Sequence, residues 1–211
     1  MKYPTLKEEK KLWKKGHRII GGMDEAGRGP LAGPVIACCF CILDPVKFKP
    51  GAVIRDSKQL SEKQREEAFE SLKEDKNSRW GIGIVSEKVI DKINILEASK
   101  LAMEKAAKNL EKKIAFPLDF ILLDGNFSIK SETMQKSIIK GDEKVFSISC
   151  SSIIAKVTRD RMMKLSGKKY PEYGFQIHKG YPTLFHRQAI KTYGLCRIHR
   201  KSFCRGLDLF H

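Results

Sequence analysis

Three strand-like segments in this chain end in the same way, at an acid set beside a glycine. Ile19 to Met23 runs into Asp24-Glu25-Ala26-Gly27, Phe120 to Leu123 into Asp124-Gly125, and Ser137 to Lys140 into Gly141-Asp142. Short stretches rich in Ile, Leu and Phe and stopped by glycine read as buried strands. Open α/β sheets hold ligands at strand ends, because the backbone stops there and side chains from neighbouring strands converge. On the residues alone two readings stand. Either the acids meet at one rim of a sheet, or each caps its own turn. Strand alternation also sends Asp24 and Glu25 to opposite faces unless the backbone bends.

The segments between these runs fit an α/β layer. Arg18 to Asp24 and Leu31 to Leu43 read as the two strands of an initial hairpin joined by a Gly-rich turn. Ser61-Glu62-Lys63-Gln64 has the capping-box pattern, and Ala68, Phe69 and Leu72 follow at helical spacing, which predicts a helix over 61–75. Trp80 to Val85 reads as a strand, Ile95 to Leu110 as a helix, Ser137 to Ile139 as a short strand, and 146–165 as a helix whose first turns hold small residues. A short helix is expected near Thr183 to Tyr193. Strands alternating with helices after a hairpin give a mixed sheet flanked by helices, and 211 residues suffice for one sizeable domain. The expected organisation is a basic extension over 1–17, a domain over 18–203 whose C-terminal helical part begins near 170, and a tail over 204–211.

Charge points to the partner. The formal net charge is +16, and Lys156 to Arg205 holds thirteen Lys and Arg against two acids, Asp160 and Glu172. Cationic side chains release condensed counterions from a polyanion, so nucleic acid is the expected partner and that quarter the expected binding face. No window approaches the roughly 18 apolar residues of a membrane span. The six cysteines show no disulfide-framework spacing, and Cys38, Cys39 and Cys41 sit in an apolar run as small hydrophobes, which fits a reducing cytoplasm. Cys196, His199, Cys204 and His211 miss the common zinc spacings. A monomer is expected.

Carboxylates gathered without cations repel one another and pay desolvation, which raises their pKa values. Mg²⁺ or Mn²⁺ removes the conflict, and two such ions about 3.5–4 Å apart can serve phosphodiester hydrolysis. The glycines do not point to a nucleotide fold. Gly22 to Gly27 has phosphate-loop spacing, but Arg28-Gly29 stands where Lys-Ser/Thr is required, and Gly27, Gly29 and Gly33 miss the dinucleotide pattern.

Five blocks, "GMDEAGRGPLAGPV", "DSKQLSEKQRE", "LLDGN", "KGDEKVFSISCSSIIAKVTRDRMM" and "YPEYGFQIHKGYPT…IHRKSF", together resemble ribonuclease HII in order and spacing across roughly 18–203. The resemblance implies a ribonuclease H-like fold and a metal-dependent endonuclease. Such an enzyme hydrolyses the RNA strand of RNA–DNA hybrids, nicks DNA 5′ of embedded ribonucleotides, and leaves 3′-hydroxyl and 5′-phosphate ends. The family's metal-binding acids match Asp24, Glu25, Asp124 and Asp142, and its 2′-hydroxyl-reading turn matches Gly27, Arg28 and Gly29. Its phosphate contacts match Ser57 and Lys58, and its junction-sensing tyrosine matches Tyr181. A glycine turn lets backbone approach the 2′-hydroxyl, the group that separates RNA from DNA.

Two departures stand out. Pro182 occupies a position where the family commonly has glycine, and Ser149, Cys150 and Ser151 replace alanines before Ser152. Ribonuclease HIII lacks the Gly-Arg-Gly signature and is the poorer match. In the tail, Leu207, Asp208, Leu209 and Phe210 look like the sliding-clamp-binding pentapeptide Gln-Leu-Ser/Asp-Leu-Phe, with Gly206 departing at its first position. The rival from another class is a basic hybrid-binding protein without catalysis.

Overall fold

Strand β1 (Ile20–Ala26) is closely covered on both faces because Gly21 and Gly22 carry no side chain. A Cβ on Gly22 would overlap Ser147, whose helix therefore lies directly on the strand, and Ser151 Oγ donates to the Gly22 carbonyl at 2.7 Å. The computed structural model describes residues 3–205. In it β1 is the centre of a five-stranded sheet with β2 (Val35–Ile42), β3 (Ser78–Val85), β4 (Phe120–Asp124) and β5 (Met134–Ile138), in the order β3-β2-β1-β4-β5. β1, β2 and β3 pair antiparallel, whereas β4 joins β1, and β5 joins β4, in parallel. This is the mixed α/β sheet expected from the sequence.

Period-two alternation divides the core. Met23, Cys39, Ile121 and Leu123 face helix α3 (Glu87–Ile114), with Ala102, Ala106 and Leu110 against them. Cys38 and Phe40 face the other way, onto α2 (Glu62–Glu74) and α5 (Phe146–Lys169), and meet Phe69, Leu72, Ile153 and Ile154. A separate cluster of Leu31, Tyr173, Phe175 and Ile190 packs the C-terminal part. That part contains α6 (Phe175–His178), α7 (Leu184–Tyr193) and α8 (Lys201–Cys204).

Most boundaries follow the sequence pattern, and the departures have local causes. The Ser61–Gln64 capping box forms as expected. β1 runs on to Ala26, so both acids lie within the strand. β2 begins at Val35 and not at Leu31, because the carbonyls of 32–34 are taken by buried arginines. α3 begins a turn and more before Ile95. Its backbone breaks at Asn94 (φ 63°, ψ 169°), whose Oδ1 accepts from the Leu96 and Glu97 amides and so starts the helix a second time. The short strand expected over Ser137 to Ile139 is present as β5 but begins earlier, at Met134, because the exposed residues of this edge strand hide its start from apolar patterning.

Within the basic segment 1–17 lies α1 (Lys7–Lys14), for which the sequence offered no strong signal. Its Glu9 is buried and accepts the Ser147 amide at 2.8 Å, so an acid from one helix caps the N-terminus of another. Thr5 bridges Val145 beside α4 (Gly141–Lys144). The clamp-like residues Leu207, Asp208, Leu209 and Phe210 lie outside the described residues. No described helix is long and apolar enough to cross a membrane.

The close approach of α5 to β1 gives a direct test. Gly22→Ala should destabilise the protein by about 2–3 kcal/mol, as overpacked sites do, measured as a lowered urea midpoint. An unchanged midpoint would show that α5 can retreat from the strand without loss.

Candidate active site

β1 and β4 are parallel neighbours paired up to Met23 and Leu123, so the next residue of each, Asp24 and Asp124, emerges at the same rim. β5 pairs Ile138 with Asp124, and the chain then turns through Lys140 in the left-handed region (φ 56°) to place Asp142 in α4. The Gly141 amide donates to Asp124 Oδ1 at 2.6 Å and ties the turn to the strand end. Asp24, Asp124 and Asp142 thereby offer carboxylate oxygens that all lie within 4.8 Å of one another. Asp24 and Asp142 are buried and Asp124 is half-buried.

Glu25 stands outside that set of three, as strand alternation dictates. Its Oε1 meets Arg28 Nη1 at 3.2 Å, while Oε2 is buried without a hydrogen-bond partner. Burial first, then the charges of Glu25 and Asp124, pushes Asp24 well above the usual carboxylate range. Burial also raises Glu25, against the opposing pull of Arg28, and raises Asp124, helped by the charge of Asp142. Oxygen donors held together against their own repulsion, with one buried oxygen orphaned beside them, fit a hard divalent cation.

A cleft of about 320 Å³ opens over Asp24, Glu25 and Asp124. Its walls include all the other residues singled out from the sequence: Gly27, Arg28, Gly29, Ser57, Lys58 and Tyr181. Asp56 accepts the Lys58 amide at 2.9 Å and shapes the single turn Ser57–Gln59. Ser57 Oγ lies 2.9 Å from Ser152 Oγ, and Lys58 Nζ is 3.1 Å from Asp142 Oδ2. The Tyr181 ring flanks Gly29, where a Cβ would lie 3.7 Å from Cε1.

Ser152, Lys156 and Arg159 also line the cleft, and the sequence reading did not single them out. Their spacing of four and three residues, one face of a helix, was the available signal. Lys156 Nζ pairs with Asp160 at 2.8 Å and sits 6.0 Å from the Tyr181 ring centroid.

The turn itself rests on two buried guanidiniums. Arg159 donates to the carbonyls of Pro34 (3.0 Å), Lys179 (3.1 Å) and Ala32 (3.1 Å). Arg200 donates to Gly33 (2.9 Å), Arg28 (2.9 Å), Gly27 (2.6 Å) and Pro34 (3.2 Å). Neither forms a salt bridge among the described residues. Burial lowers them to about 10 and about 9, Arg200 further by the charge of Arg159, so both stay cationic at neutral pH. Gly27 has φ +100°, and a Cβ there would overlap the Arg159 side chain, so no other residue fits.

His199 is accounted for without zinc. Its Nδ1 accepts the Cys196 amide at 2.9 Å and its Nε2 meets His186 Nε2 at 3.0 Å, leaving no ring nitrogen free for a metal.

Comparison with known proteins agrees with this geometry. The family model described as "Ribonuclease HII" matches residues 21–206. A curated ribonuclease HII from Acetivibrio thermocellus is 50% identical over 199 residues, 94% of this chain and 74% of that protein. Among solved structures, the ribonuclease H2 of Pyrococcus horikoshii is 30% identical with a TM-score of 0.68, covering 90% of this chain and 97% of that one. A ribonuclease HII of Archaeoglobus fulgidus, solved in complex with PCNA, has the same fold at 24% identity and a TM-score of 0.73, covering 91% and 97%. A family model spanning most of the chain, half identity to a curated member, and a ribonuclease H-like sheet with acids at its central rim agree: this chain belongs to the ribonuclease HII family.

Proposed function

We propose that the chain is an endoribonuclease that hydrolyses the RNA strand of RNA–DNA hybrids and nicks duplex DNA on the 5′ side of an embedded ribonucleotide, leaving 3′-hydroxyl and 5′-phosphate ends. The observation that carries this reading is the juxtaposition of three converging carboxylates with a glycine turn and an aromatic ring in one cleft. Asp24, Asp124 and Asp142, with the orphaned oxygen of Glu25, would hold Mg²⁺ or Mn²⁺, two ions in the presence of substrate. Such ions supply the positive charge that acidifies a water and neutralises the phosphate under attack.

The remaining residues position the substrate. The carbonyls of Gly27 and Arg28 are drawn inward by Arg200, which leaves the exposed edge of the turn for the 2′-hydroxyl. Arg28 is half-exposed beside Glu25 and can reach a phosphate through its free N–H groups, and Ser57 and Lys58 approach the same phosphate track from the opposite wall. Tyr181, 42% exposed, presents a ring to the sugar at the junction between RNA and DNA. Pro182 stiffens the backbone directly after it. Six cysteines free of disulfides fit a cytoplasmic setting. The sliding-clamp contact of Leu207 to Phe210 belongs to the same proposal and rests on the tail sequence.

Duplex DNA carrying a single ribonucleotide should be nicked on its 5′ side only when Mg²⁺ or Mn²⁺ is present, while an all-DNA duplex stays intact. Hybrid binding with no metal-dependent cleavage would leave the non-catalytic rival standing.

Asp124→Asn should abolish cleavage and keep hybrid affinity within several-fold, because the basic surface is untouched. It should also stabilise the metal-free protein by ~1 kcal/mol. The raised carboxyl makes the native state hold a proton that the unfolded chain has released, so stability is lost as pH rises through the native pKa. The advantage of the variant is therefore largest at neutral pH and fades toward about pH 4. Thermal melts in chelator across that range check the sign, and added Mg²⁺ should raise the melting point of the wild type more than that of the variant.

Tyr181→Ala should impair nicking at a lone ribonucleotide more than cutting of a continuous RNA strand, read as the ratio of kcat/KM on the two substrates. Equal losses would make Tyr181 a packing residue only.

A further inference from the structure

Two imidazoles lie wholly inside the C-terminal part, His186 with no exposure and His199 at 3%. They form a line with fixed ends. At one end the Cys196 amide lies 2.9 Å from His199 Nδ1, and an amide N–H can only donate. At the other end His186 Nδ1 lies 2.9 Å from the Tyr181 carbonyl, which can only accept. Between them the two Nε2 atoms are 3.0 Å apart. One proton arrangement satisfies all three contacts: His199 carries its hydrogen on Nε2 and donates to His186 Nε2, and His186 carries its hydrogen on Nδ1 and donates to Tyr181. An extra proton on either ring would set two donors face to face. Burial keeps both rings neutral, lowering His186 to about 4 and His199, with the help of the neighbouring His186, to about 4.

From this geometry we infer that His186 and His199 are positioning residues for substrate discrimination, acting through the Tyr181 main chain. The Tyr181 carbonyl also accepts the Thr183 amide at 2.8 Å, and its own amide donates to the His178 carbonyl at 3.0 Å. His178 in turn accepts the Gly180 amide on Nδ1 (3.1 Å), donates from Nε2 to the Tyr173 carbonyl (2.7 Å), and stacks on His186 with ring centroids 4.5 Å apart. The segment 178–183 has only a few main-chain bonds of its own, so the imidazole line fixes where the Tyr181 ring meets Gly29. This inference rests on the reading of Tyr181 as the ring at the RNA–DNA junction.

Amide side chains separate the two ends of the line, because Asn Nδ2 superposes on His Nδ1 and Gln Nε2 on His Nε2. His186→Asn keeps the donor to Tyr181, whereas His186→Gln loses it. At 199 the order reverses: His199→Gln keeps the donor to His186 and His199→Asn loses it. The readout is the ratio of kcat/KM for a lone ribonucleotide to kcat/KM for a continuous hybrid, in which the folded fraction cancels. His186→Gln should lower that ratio about fivefold, toward the value of Tyr181→Ala, while His186→Asn stays within about twofold of wild type. His199→Gln should likewise exceed His199→Asn. If Tyr181→Ala lowers the ratio and the two variants at 186 match each other, the inference is overturned and the histidines are packing alone. If Tyr181→Ala leaves the ratio unchanged, the reading of Tyr181 fails separately. The proton line is then judged by long-range ¹H–¹⁵N spectra of the whole protein at neutral pH. Protonation of His186 on Nδ1 and of His199 on Nε2 supports it, and the opposite tautomer on either ring overturns it.

Discussion

A guanidinium taken out of water keeps its charge and needs acceptors for its N–H groups, and main-chain carbonyls take three bonds from Arg159 and four from Arg200. Leaving a buried cation unmatched costs several kcal/mol, on the order of the net stability of a small domain, so the loop at 27–34 is not free to relax away. The course of the chain around the cleft follows from this. Strand β2 cannot begin before Val35, the turn at Gly27 must run at positive φ, and the C-terminal part is pinned against the sheet through the Lys179 carbonyl and the Leu31–Arg200 main-chain contact. Two positive charges beneath the turn also raise the potential on its outer edge.

The opposite wall is built on the reverse principle. There the carboxylates are held together against repulsion by strand pairing that was settled elsewhere, since the β1–β4 register depends on core residues such as Met23, Ile121 and Leu123. The site is thus strained in charge and relaxed in geometry, which suits a cation-binding centre preorganised before its ions arrive. Helix α5 joins the two walls: Ser152 bonds to Asp24, Lys156 approaches Tyr181, and Arg159 reaches under the turn. The small side chains Ser149, Cys150 and Ser151 let α5 lie close to the sheet, and Ser151 donates to the Gly22 carbonyl.

Much of this is legible in the sequence. The three strand endings carried the acids, the capping box fixed the start of α2, and the five motif blocks carried the family. What stayed hidden were contacts with no local periodicity. Nothing near Arg200 in the chain announces that it serves Gly27, and the basic C-terminal quarter, read as a binding face, includes two cations turned wholly inward. Glu9 was equally opaque, because an acid in a Lys-rich stretch looks like a solvated charge until the amide it caps, far away in α5, is known. The break at Asn94 was missed since its cause is one backbone conformation inside an otherwise continuous helical pattern.

The bond from Arg200 to the Gly27 carbonyl spans 173 residues, and that from Glu9 to Ser147 spans 138. Contacts of such separation close late, because loop entropy must be overcome before they contribute anything in return. During synthesis all four acids leave the ribosome well before Arg200 does, so for that interval the chain carries its charge cluster without the shaped turn beside it. The turn at Gly27 and Arg28 therefore gains the buried cation that shapes it only after most of the described chain has been made, with timing set by where one arginine falls in the sequence.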